Sequence, residues 1–131
     1  MKKIVSALLL ICIAAFCLTS CQSASNFCEN LDSSYYSETL DFDDIEYYFE
    51  YLETEVSPNN VTVAYLYTKS YSNIIFIVEF DKTSTAKSFA SDEENILNKM
   101  NALDNSLTYN VVQKGKVVLL GTASGIEDAL D

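Results

Sequence analysis

Four carboxylates, Asp41, Asp43, Asp44 and Glu46, crowd into one short stretch, and no lysine lies between Glu29 and Glu55. Oxygen-rich clusters of this kind hold hard cations such as Ca²⁺, so these four are the candidate metal ligands. The stretch lacks the glycine and the ligand spacing of a dedicated calcium loop, and a solvated helix face accounts for the same residues. Paired carboxylates can also cleave glycosides, which leaves a small hydrolase as a further reading. Imidazole chemistry is excluded, because the chain has no histidine. Cys28 and every serine therefore lack the usual base that would make them nucleophiles. The chain has nine tyrosines. Tyr47 and Tyr51 share a helix face, and Tyr65 and Tyr67 share a strand face. Tyrosine suits recognition because it joins a large ring to a polar tip. Tyr65 and Tyr67 are thus the candidate binding residues, against the plainer reading of half-buried strand residues.

The N-terminus carries the most specific pattern. Lys2 and Lys3 precede an apolar run from Ile4 to Leu18. That run is about 15 residues long, short of the roughly 20 that a membrane-crossing helix needs. A basic start, a short apolar run and small residues before a cut read as a secretory signal. The run ends in Leu18-Thr19-Ser20-Cys21. This resembles the lipobox of bacterial lipoproteins, an aliphatic residue and two small residues before a cysteine. The resemblance implies cleavage by signal peptidase II between Ser20 and Cys21 and a diacylglyceryl group on the Cys21 thiol. It covers residues 1–21 only. With each buried CH₂ contributing about 0.8 kcal/mol, two or more acyl chains anchor a protein stably. The expected location is the extracytoplasmic face of a cell membrane, with the lipid as the membrane contact.

Charge and cysteine count agree with export. The chain has 8 Lys+Arg against 19 Asp+Glu, a formal net charge of −11. Losing Lys2 and Lys3 with the leader makes the mature form more acidic still. Such a surface repels nucleic acid backbones and anionic headgroups alike, so nucleic acid is not an expected partner. Cys12 and Cys17 leave with the leader and Cys21 is consumed by lipid, so Cys28 has no intrachain disulfide partner. It reads as buried, as a cross-linking thiol, or as simply tolerated near the membrane. Ser84-Thr85-Ala86-Lys87 resembles the S-x-x-K motif of penicillin-binding proteins and serine β-lactamases. Neither companion motif of those enzymes follows, and Ser and Thr at a helix start satisfy free backbone N–H groups equally well.

Periodicity outlines the rest. Residues 21–38, polar and unpatterned, read as a lipidated cysteine with a flexible tether, and 39–131 as one small α+β domain. Phe42, Ile45, Phe49, Leu52 and Val56 recur at helical steps, with Asp41 and Asp44 as a capping pair and Ser57-Pro58-Asn59-Asn60 as the stop. Strands follow over 61–67, with Val61, Val63, Tyr65 and Tyr67 on one side, and over 73–80. A second helix is predicted over 83–103, with Phe89, Ile96, Met100 and Leu103 inward. A hairpin turns at Lys114-Gly115, and Ser124 with Glu127 has capping-box spacing for a last helix. The order α-β-β-α-β-β-α predicts a four-stranded antiparallel sheet with helices on one face.

The leading functional expectation is a membrane-anchored, non-enzymatic binding or accessory module, needing no cofactor, whose partner is an envelope protein or the cell wall. A divalent-cation-responsive lipoprotein and a small cell-envelope hydrolase are the alternatives.

Overall fold

The computed structural model describes residues 22–131. The signal peptide expected over 1–20, its cleavage-site residues Leu18, Thr19 and Ser20, and Cys21 lie outside the described residues. The elements are α1 (Ala24–Cys28), β1 (Tyr36–Thr39), α2 (Phe42–Leu52), a 3₁₀ turn (Pro58–Asn60), β2 (Val61–Ser70), β3 (Asn73–Phe80), α3 (Thr83–Ser91), α4 (Glu93–Leu103), β4 (Tyr109–Lys114), β5 (Val117–Thr122) and α5 (Ala123–Leu130). The fold is α+β, built on one antiparallel five-stranded sheet in the order β1-β2-β3-β5-β4. Among the described residues, no helix is long and apolar enough to cross a membrane.

The sheet has five strands rather than the expected four. The extra strand, β1, pairs Tyr36 with Thr68 and Thr39 with Tyr65. All four of its residues are exposed, so it has no alternation of apolar and polar positions by which to be read. Helices cover both faces rather than one. Strand β3 explains why, since a strand apolar at nearly every position must bury both its sides. Phe76, Val78 and Phe80 point to one face, under α2, α3 and α4. Ile75 and Ile77 point to the other, under α1 and α5. Fully burying each such side chain contributes about 1.5–3 kcal/mol.

The segment expected as a tether is folded. Ala24 and Phe27 of α1 are buried against Ile75 and Ile77. The Ala24 N–H donates to Glu79 Oε1 at 2.8 Å. Further along, the Asn30 side chain donates to the Ala129 carbonyl at 2.7 Å. The Tyr35 hydroxyl donates to Asp128 Oδ2 at 2.6 Å. Each contact is with a residue far away in sequence, which local pattern does not reveal.

Helix α2 begins at its acidic cap. Asp44 N–H donates to Asp41 Oδ1 at 2.8 Å, and Asp41 N–H donates to Asp44 Oδ2 at 3.3 Å. The helix ends before Val56, because Glu53 takes the left-handed conformation (φ 55°) that glycine more often supplies. The predicted second helix breaks at Asp92 (φ −86°, ψ 30°) into α3 and α4, which puts Glu93 at a helix start instead of in an apolar stripe. Phe42 and Leu103 are exposed rather than inward. A register shift between Val61 and Val63 sends Val61 to the α2–α4 face, while Val63, Tyr65 and Tyr67 stay on the other. The cap of α5 is Thr122, not Ser124: Thr122 Oγ1 accepts from Gly125 N–H at 3.3 Å. Ser124 instead donates to the Ser72 carbonyl at 2.7 Å.

Candidate ligand-binding pocket

Two helices that cross one sheet face are tied together at one end. The Tyr51 hydroxyl donates to the Lys99 carbonyl at 2.9 Å. The Asn95 amide donates to the Leu52 carbonyl at 2.7 Å, and Lys99 Nζ lies 3.1 Å from Glu53 Oε1. Behind this seam, Phe49, Phe80 and Phe89 form an aromatic cluster, with Phe49 and Phe89 stacked at 5.2 Å. The space between α2, the last turn of α4 and the sheet is not filled. It is a cavity of about 380 Å³.

Its floor is Ala64, Phe76, Val78 and Leu120 of the sheet, and Phe49 and Phe89 close its back. Tyr47, Tyr48, Tyr51, Tyr71 and Tyr109 all line it. Tyr48 meets Phe76 edge-on at 4.8 Å and Tyr47 at 5.5 Å, so their rings are held by one another. Tyr47, Tyr71 and Leu103, all exposed, stand at the mouth. Gly121 also lines the cavity; a Cβ there would lie 2.1 Å from the Ile74 carbonyl oxygen. With its φ at 155°, Gly121 would aim any side chain into the β3 backbone.

Among the described residues, the only charged one in the lining is Asp104. It ends α4 and accepts from both the backbone N–H and the hydroxyl of Ser106. These hydrogen bonds hold its carboxyl below the usual aspartate range. Burial pushes the Tyr48 hydroxyl above the ordinary tyrosine value, with the charges of Glu38 and Asp44 adding to it. Burial raises Tyr109 as well, helped by the Asp104 charge. Both phenols are neutral at physiological pH, leaving an apolar, ring-lined space with polar tips.

Of the residues weighed from sequence, Tyr47 and Tyr51 line this cavity; the others lie elsewhere. Tyr65 and Tyr67 are half-buried on the opposite face, their rings 6.3 Å apart. Burial and the neighbouring Cys28 push the Tyr67 hydroxyl upward, and burial likewise raises the Cys28 thiol. Cys28 is half-buried there as a free thiol. Asp41 and Asp44 spend their side chains on the α2 cap, while Asp43 and Glu46 are exposed. Among the described residues, no three carboxylates or thiols converge as a metal site. A separate polar groove holds Glu53, Glu55 and Asp92 with Ser88, Ser91 and Asn95. Ser84 and Lys87 are exposed near the start of α3. The sequence reading missed Tyr48, Tyr71 and Tyr109. One signal was available for Tyr48. Together with Tyr47 and Tyr51 it widens the aromatic arc of α2 beyond what one core-facing stripe needs.

No protein-family model, curated protein or solved structure matches the chain.

Proposed function

We propose that this chain is a lipid-anchored extracytoplasmic module that binds an apolar small molecule, without chemical conversion, in the cavity between α2, α4 and the sheet. The observation that carries this reading is the unfilled, aromatic-lined space itself. A volume of about 380 Å³ lies within the roughly 300–1,000 Å³ typical of small-molecule pockets, which are likewise mostly apolar with a few polar groups.

The anchor placement supports the same reading. Only Gln22 and Ser23 separate Cys21 from Ala24, whose N–H is fixed to Glu79. At about 3.3–3.6 Å per residue, lipid on Cys21 would hold the fold within roughly 10 Å of the bilayer surface. Helix α1 lies on the sheet face opposite the cavity. The pocket then draws its ligand from the envelope space rather than from the lipid beneath, in the service of an envelope protein or the cell wall.

The test is equilibrium dialysis of a neutral probe, tert-butylbenzene, against the full chain in phosphatidylcholine vesicles, with empty vesicles as the reference. One saturable site is expected. Ala64→Leu, which extends a side chain into the cavity floor, should weaken it at least tenfold while the melting temperature holds. Binding that never saturates, or that ignores this substitution, removes the pocket from the function.

A further inference from the structure

Resting on that reading, we propose that the cavity selects organic cations: molecules with an apolar body and one ammonium group. Among the described residues, five tyrosines line it. An aromatic ring carries negative charge density on its face and attracts a cation placed within about 6 Å of its centre. At an exposed rim this attraction is worth about 0.5–1 kcal/mol for each ring face engaged. Rings set edge to face, as Tyr48 is to both Phe76 and Tyr47, present differently angled surfaces to one guest.

The charges around the mouth agree in sign. Asp104 is the one ionised group in the lining among the described residues, and the Ser106 hydrogen bonds keep it in its anionic form. It stands at the C-terminus of α4, where unsatisfied carbonyls concentrate about half a negative charge. No basic residue in the last turn of α4 offsets this. On the α2 side, Glu38 and Asp44 lie close enough to act on Tyr48. Among the described residues, no lysine lines the cavity. Lys99 is turned to Glu53, and Lys69 sits over the Tyr35 ring at 5.6 Å, among residues packed on the other sheet face.

A fatty acid or other amphiphilic anion would set its charge against Asp104 and those carbonyls with no cation to receive it. A wholly neutral guest would fill the space but leave the mouth's negative potential unused. A guest with one ammonium group uses both features: its apolar part contacts the floor, and its charge sits among Tyr47, Tyr71 and Asp104 at the rim.

The experiment compares three aromatic probes of similar size by dialysis against the full chain in phosphatidylcholine vesicles at about 0.15 M salt, where charges more than about 8 Å apart are screened. The probes are phenyltrimethylammonium, its neutral counterpart tert-butylbenzene, and benzenesulfonate. The cation should bind about tenfold more tightly than the neutral probe, and the anion most weakly. Asp104→Asn should cut the cation's advantage about fivefold and leave the neutral probe unchanged. Asp43→Asn, an equal charge change at an exposed position away from the cavity, should leave both unchanged. Equal binding of the cation and the neutral probe overturns the charge selectivity but leaves the apolar pocket standing. Equal losses in Asp43→Asn and Asp104→Asn also overturn it, reducing the preference to the general field of an acidic surface. If no probe saturates, the pocket reading itself fails.

Discussion

The two faces of this sheet draw on the same strands and reach different ends. On one, Ile75, Ile77, Val117 and Leu119 are sealed beneath α1 and α5, and every one is fully buried. Helix α5 comes close because Gly125 has no side chain; a Cβ there would meet Ile75 Cγ1 at 2.6 Å. Its edges are stitched by Tyr35, Asn30 and Ser124. On the other face, α2 and α4 are pinned at one end by Tyr51 and Asn95 and leave a cavity beyond. Both faces are apolar, so hydrophobicity does not distinguish them. Residue size does. Small residues at Ala24, Gly125 and Ala129 let helices settle against the sealed face. Large rings at Tyr47, Tyr48 and Tyr51 on α2 line the open space at the other.

Truncation should separate the faces most widely. Ile77→Ala removes atoms from a filled layer with no neighbour free to move in, and should lower stability by about 3–4 kcal/mol. Met100→Ala removes atoms beside space that already exists, so most of the void penalty is absent and about 1–2 kcal/mol is expected. Urea denaturation of both variants gives the comparison. Equal losses would mean that the α2–α4 side is packed as tightly as its counterpart.

Enlargement should show the opposite asymmetry. Ala129→Leu forces extra carbon atoms between α5 and the sheet, where overpacking costs about 1–3 kcal/mol. Ala64→Leu starts from an equally buried position but directs the same atoms towards the cavity, and should cost less than Ala129→Leu. A large loss at Ala64 together with none at Ala129 would reverse the assignment of filled and open faces.

How much of this was legible in the sequence depended on the range of the interactions. The Asp41–Asp44 cap, the Ile45–Phe49–Leu52 stripe and the turn near Gly115, whose φ is +60°, arise within a few residues, and all were readable. Strand β1 was not, since its four exposed residues gain their order only from pairing with β2. The fold of Gln22–Glu38 depends on Glu79, Ala129 and Asp128, none of them close in sequence. The two-sided burial of β3 was legible as a central strand, yet α1, one of the two helices on its second face, was hidden in a segment that composition marks as linker. The pocket was hardest to read. Tyr47 and Tyr51 were noticed as a helix face, but Tyr71 and Tyr109 reach the same space from a hairpin and an edge strand, and no spacing links them. A cavity is a property of where packing stops, and that has no sequence signature of its own.

The polar stitching of the sealed face should be sensitive to alkali. Tyr35 is buried at 8% exposure. Its hydroxyl donates to Asp128 Oδ2 and accepts from the Asn73 amide at 3.4 Å. Burial pushes it up to about 12, with the Asp128 hydrogen bond and charge adding to the shift, whereas an unfolded tyrosine titrates near 10. Below about pH 10 both states hold the proton, and this group gives no pH dependence. Between about pH 10 and 12 the unfolded chain has released it and the fold has not, so the unfolded state binds fewer protons and stability falls as pH rises. Tyr67, raised by burial on the same face, adds to that fall. Tyr35→Phe should cost about 1–2 kcal/mol near pH 7 by removing the bond to Asp128, and should flatten the decline between pH 10 and 12. Denaturation midpoints of the two proteins across that range decide it. Parallel curves would show that Tyr35 holds the sealed face by packing alone, and the contrast between the faces would then lie entirely in how well their carbon atoms fit.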